Sequence, residues 1–170
     1  MDLFQSSADY YSKTATTILV RLSRIVGFFL ATTLPALYIS ITSFDFEVLP
    51  VNLAIPIATF RAGIPFPPLV EVLLMVIIVD VLQEGATRLP SKIGQTLAIV
   101  GGFVLGQAVI QAKLVSPLAV IVVAASVIGA FTLPNYELNG LVRFLRYALI
   151  LGGGLLTGVG IAMVWCGFLI

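Results

Sequence analysis

Of the 170 residues 59% are apolar and only 10% charged, whereas a soluble domain needs roughly a quarter charged to cover its surface. The mean hydropathy of +1.13 points to lipid as the solvent, and a net charge of +1 excludes the basic stripe that a nucleic-acid partner demands. With no histidine, the commonest metal ligand and the Ser-His and Cys-His nucleophilic pairs are missing, and no catalytic, cofactor or metal site is read. The single cysteine, Cys166, forms no intrachain disulfide.

Residues 1–24 read as a mixed lead-in. The apolar run after it is too long for a cleaved signal peptide, so it reads as an anchor that stays in the protein. Ile18, Leu22, Ile25 and Phe29 recur at helical spacing while Arg21 and Arg24 take another face, which predicts an interfacial helix. The first span is expected over 25–43. Pro35 lies in its middle and bends it, and Thr32 and Thr33 are placed to satisfy the backbone groups that Pro35 frees.

Asp45 and Glu47 open the next segment. Pro50, Asn52 and Pro56 then interrupt an apolar stretch of about a dozen residues, too short for a hydrocarbon core of ~30 Å at 1.5 Å per residue. A re-entrant or interfacial piece is therefore expected between the first two spans. Pro67 and Pro68 cannot lie inside a helix but can begin one.

Further spans are expected over 68–85, 95–112, 117–133 and 147–170. Ser116-Pro117 reads as an N-cap and first-turn proline, and residues 138–146 as a second lead-in with Leu138, Leu141 and Leu145 against Arg143 and Arg146. The predicted class is an all-α integral membrane protein with about five transmembrane helices, residues 25–170 forming one polytopic domain. The sequence stops at Ile170 within apolar residues, where a polar tail is the commoner ending.

Orientation follows from the cations. With the N-terminus inside and five crossings, Lys13, Arg21, Arg24, Arg88, Lys92, Arg143 and Arg146 lie inside, leaving only Arg61 and Lys113 of the nine outside. A crossing by residues 50–60 would destroy that asymmetry.

Glu71 and Asp80 stand inside the apolar run from Leu69 to Leu82. A carboxylate at that depth is costly and faces protein or a water path. At ~100° per residue the two lie about 180° apart, so neither side of this helix is free to face lipid. For Asp80 a cation site and a structural acid bonded to a neighbouring helix weigh evenly. For Glu71, nearer the outer end, the structural reading gains ground. Glu84 and Arg88 read as a surface i, i+4 ion pair.

In an antiparallel neighbour, Gln107 and Gln111 reach the level of Glu71, as interhelical hydrogen-bond partners or a polar lining. Gly102 and Gly106, continuing from Ala98, form a small-residue ridge for helix packing, and Gly154 and Gly158 form another. Lys113 reads as a solvated loop charge.

Several motifs occur in an order that is distinctive: Ile64-Pro65-Phe66-Pro67-Pro68-Leu69-Val70-Glu71, Arg88-Leu89-Pro90, Ile93-Gly94-Gln95, Ile99-Val100-Gly101-Gly102, Gly106-Gln107-Ala108 and Val115-Ser116-Pro117 with Ile121-Val122-Val123-Ala124. Together they resemble the membrane domain of the A subunit of GerA-type spore germinant receptors. The opening Gln5-Ser6-Ser7 and Asp9-Tyr10-Tyr11 fit the junction before that domain.

The resemblance implies residence in the spore inner membrane beside a transporter-like B subunit and a lipoprotein C subunit. It also implies self-association into a monovalent-cation channel that opens when nutrients such as amino acids or sugars bind. Glu71, Asp80 and Glu84 stand at matching positions, but Val76 and Gln111 replace acids that the family often carries, and Gly85-Ala86 reverses a more usual order. A secondary transporter and a truncated, non-conducting membrane scaffold remain the alternative readings.

Overall fold

The computed structural model describes residues 14–43, 50–88, 91–133 and 136–169, and the regular structure among them is entirely helical. The helices are α1 (Thr14–Ser43), α2 (Val51–Arg61), α3 (Pro68–Thr87), α4 (Ser91–Gln111), α5 (Pro117–Phe131) and α6 (Tyr136–Leu169). The first part of the expected lead-in, with Asp2 and Asp9, and the acids Asp45 and Glu47 lie outside the described residues.

The described part of the expected lead-in, from Thr14, and the first span form one continuous helix, α1, of 30 residues. Pro35, fully buried, removes the amide that would bond the Ala31 carbonyl four residues earlier. Thr32 and Thr33 do not repair this. Their hydroxyls donate to the carbonyls of Phe28 and Phe29, one turn before the gap. Ser126 of α5 supplies the missing donor, its Oγ lying 2.8 Å from the Ala31 carbonyl oxygen.

That bond needs α1 and α5 to touch, and Gly27 and Gly129 let them. A Cβ on Gly129 would lie 2.6 Å from the Gly27 carbonyl oxygen and 3.0 Å from the Ala31 amide nitrogen, leaving no room for any side chain. α1 meets α6 in the same way, for a Cβ on Gly153 would fall 2.9 Å from the Ala36 carbonyl oxygen. Helix α1 is thus the centre of the molecule, with α5 and α6 in backbone contact along it.

α3 opens where its prolines direct it. Pro68 is its first residue, and the Pro67 carbonyl accepts the Glu71 amide at 3.1 Å. Its 20 residues span about 30 Å. α2, with 11 residues and Pro56 inside, spans only about 16 Å. The turn after α4 is a Schellman motif, in which Leu114 N–H donates to Val109 O at 3.1 Å and Lys113 N–H to Ile110 O at 3.0 Å. Lys113 takes the left-handed position, with φ 53°, that glycine usually fills.

α6 is not straight. Thr157 adopts φ 61°, ψ −151°, and beyond it the chain turns back. The Gly160 carbonyl comes within 3.0 Å of where a Cβ on Gly152 would sit, although in a straight helix these residues would lie about 12 Å apart. Trp165 consequently packs against Phe28 and Phe29 of α1, with ring centroids 5.9 and 5.2 Å away. The span expected over 147–170 is, across its described residues 147–169, two helical pieces joined at this turn.

Two helices, Thr17–Ser43 and Gly140–Phe168, are long and apolar enough to cross a membrane. The second reaches that length only when counted through Thr157. One apolar cluster joins Ile39, Val72, Met75, Val76, Val123 and Ile150 from α1, α3, α5 and α6, and a second joins Phe28, Ala36, Val142, Leu149 and Ile161 between α1 and both pieces of α6.

Candidate functional site: two buried carboxylates on one helix

From Pro68 to Leu82, α3 is apolar apart from Glu71 and Asp80, and it presents these two acids to different neighbours. Glu71 is fully buried. Its Oε1 accepts the backbone N–H of Ser116, the residue that caps α5. Ser116 is well placed for both tasks: its Oγ accepts the Ala119 amide at 3.2 Å and lies 3.0 Å from the Tyr38 hydroxyl of α1. A single carboxylate therefore ties α3 to the start of α5, with α1 joined through tyrosine. Glu71 Oε2 makes no hydrogen bond among the described residues.

Asp80 is 7% exposed and turns to α6. Tyr147 donates its hydroxyl to Oδ2 at 2.9 Å. The Arg143 Nε lies 3.7 Å from Oδ2 and the Arg146 Nη1 3.7 Å from Oδ1. Those separations make ion pairs but not hydrogen bonds. Asp80 Oδ1 and Arg146 Nε and Nη1 stay without a hydrogen bond among the described residues, although Arg146 is only 3% exposed. Arg143 also reaches Glu84 at 3.8 Å, and Glu84 pairs with Arg88 at 3.6 Å as the spacing predicts.

The near-opposite placement of the two acids thus becomes two attachments, one to α5 and one to α6. In this conformation Asp80 is neutralised by two arginines rather than open to a passing cation. Arg143 and Arg146 read in the sequence as the polar face of a lead-in. Their position i, i+3 beside Tyr147, in a helix running into apolar sequence, was the available signal that they need an acidic partner.

The other candidate residues disperse. Gln107 and Gln111 are exposed on α4, and among the described residues no hydrogen bond joins either to the Glu71 group. Val76, where the resemblance leads one to expect an acid, is fully buried in the apolar core. A Cβ on Gly106 would touch Val120, and one on Gly154 would strike Leu69, so both glycines stand at helix contacts. Gly102 and Gly158 face open space. The side chain of Ala98 lies outside the described residues.

Packed apolar helices, two of them with the length and composition of membrane spans, and a few buried charges between them describe a helical protein suited to membrane association. The chain belongs to the GerA family: the model for the Bacillus/Clostridium GerA spore germination protein matches residues 1–170. It is similar to spore germination protein B1 of Bacillus subtilis (strain 168), 39% identical over 164 residues, 96% of this chain and 34% of that protein. It is also similar to spore germination protein A1 of the same strain, 38% identical over 161 residues, 95% of this chain and 33% of that protein. The membrane protein YfkQ, again of that strain, is 38% identical over 148 residues, 87% of this chain and 29% of its own length. The chain therefore spans about a third of the length of the curated relatives it matches. No solved structure matches it.

Proposed function

We propose that this chain is part of a nutrient-responsive spore germination receptor, resident in the spore inner membrane, and that it contributes to the passage of monovalent cations. In this reading it associates with further copies of itself and with a transporter-like B subunit and a lipoprotein C subunit. The observation that carries the reading is the retention of two buried carboxylates, Glu71 and Asp80, on one apolar helix in a chain of the GerA family. Acids are kept at that depth against their desolvation cost. About five crossings, with α2 as a re-entrant or interfacial piece, complete the proposed topology. The length of α2, about 16 Å, supports the latter part.

Asp80 and Glu71 are the first candidates for the cation route, with Gln107 and Gln111 as polar positions on the neighbouring helix. A non-conducting scaffold is the second reading, and the pairing of Asp80 with Arg143 and Arg146 favours it. The two separate in spores that carry this chain as their only A-type subunit, with B and C partners supplied. Nutrient-triggered potassium release supports the receptor. Its absence, with the protein present in the membrane, supports the scaffold.

A further inference from the structure

α3 is held in two different ways along its length. From Glu71 to Val76 it is part of the apolar core: Val72 and Val76 are fully buried and Met75 is 5% exposed. Beyond Val76 that grip fades. Ile77 is 50% exposed and Val81 66%, on the face where Val70 of the first half is 39% exposed. On the inner face Ile78, Val79, Leu82 and Gln83 are only half-buried, Val79 still reaching the core cluster. Among the described residues of this second half Asp80 is the buried one, and its partners are the Tyr147 hydroxyl and the two arginines of α6. Glu84 adds an exposed ion pair to Arg143 one turn later.

The frame to which this half is attached is of another kind. α1, α5 and α6 meet through backbone contacts at Gly27, Gly129 and Gly153 and through the Ser126 bond. Such contacts leave little slack, since close-packed interiors are hardly compressible and transmit strain. The Asp80 group is looser. Among the described residues one hydrogen bond crosses it, and its ion pairs stand at 3.7 Å. A buried pair in that geometry recovers little of the cost of desolvating its charges, so the closed arrangement is held by a small margin.

We propose that the Asp80 group is a catch: when it releases, the second half of α3 moves away from α6, bending near Val76 and Ile77, while the first half stays in the core. α4 follows, because it packs chiefly on α3. The inference concerns motion and stands whether or not the chain conducts ions.

Distances between spin labels test it in the whole protein reconstituted into lipid bilayers, in a Cys166→Ser background. Val81→Cys with Leu151→Cys reports the second half of α3 against α6. Val70→Cys with Leu151→Cys reports the first half, and Leu37→Cys with Ile128→Cys reports the frame. All five positions are exposed, so labels do not invade the core. Asp80→Asn is expected to lengthen and broaden the 81–151 distance and leave the other two unchanged. Arg146→Gln, which breaks the group from the opposite side, is expected to give the same pattern. An unchanged 81–151 distance in both variants overturns the catch. So does a shift of all three distances together, which makes Asp80 a general packing residue.

Discussion

The Ser126 hydroxyl of α5 donates to the Ala31 carbonyl of α1 at 2.8 Å, and that carbonyl is the one Pro35 leaves without an amide. A proline inside a helix at membrane depth is tolerated when a neighbouring helix satisfies the freed group, and one hydroxyl does so. Ser126→Ala is expected to destabilise the protein by about 1 kcal/mol, the scale of an interhelical hydrogen bond whose loss strands a buried carbonyl. In a Pro35→Ala background the amide returns, and the same Ser126→Ala change is expected to cost less than half as much. Unfolding in mixed detergent micelles measures all four members of the cycle. Equal costs in both backgrounds would show that Ser126 matters for packing alone.

Glu71 offers a second separation of roles. Its carboxylate accepts the Ser116 amide at the start of α5, and a glutamine carbonyl oxygen can accept the same bond. Glu71→Gln is therefore expected to leave the fold near its original stability, whereas Glu71→Ala strands a buried N–H and costs about 1–3 kcal/mol. The same micelle unfolding reads both. If Gln and Ala are equally destabilising, the charge rather than the acceptor holds the helices together.

Thr157 carries backbone strain that the sequence does not need. Its φ of 61° with ψ of −151° is a conformation that glycine adopts freely and other residues reach at a cost of about 1–3 kcal/mol. Thr157→Gly is expected to stabilise the turned-back end of α6 by about 1 kcal/mol, while Thr157→Ala, which keeps a Cβ, gains nothing. Fluorescence of Trp165, the single tryptophan, follows its contact with Phe28 and Phe29 in both variants. A shift to a more polar environment in Thr157→Gly would contradict the turn.

What the sequence made legible were local features. Ser116 and Pro117 announce the start of α5 because capping and a first-turn proline are decided within a few residues. Pro68 announces α3, and Glu84 with Arg88 announces an ion pair, for the same reason. Partners contributed by distant helices were not legible. Asp80 could be seen to need one, but that Arg143, Arg146 and Tyr147 supply it depends on how α6 crosses α3. Glycine spacing misled in part. The ridge positions Gly102 and Gly158 face open space and Gly154 meets Leu69, while the backbone-to-backbone contacts between helices fall at Gly27, Gly129 and Gly153, which follow no single spacing. The turn at Thr157 was hidden because its apolar surroundings read as one uninterrupted span.

In the proposed receptor, the buried carboxylates of α3 serve cation movement. Nutrient-triggered potassium release from spores bearing Asp80→Asn as their only A-type subunit, with B and C partners present, tests it most directly. Release is expected to fall severalfold while the amount of protein in the membrane is unchanged. Release equal to that of the unaltered chain would contradict it and would leave Asp80 as a residue that only holds α3 to α6.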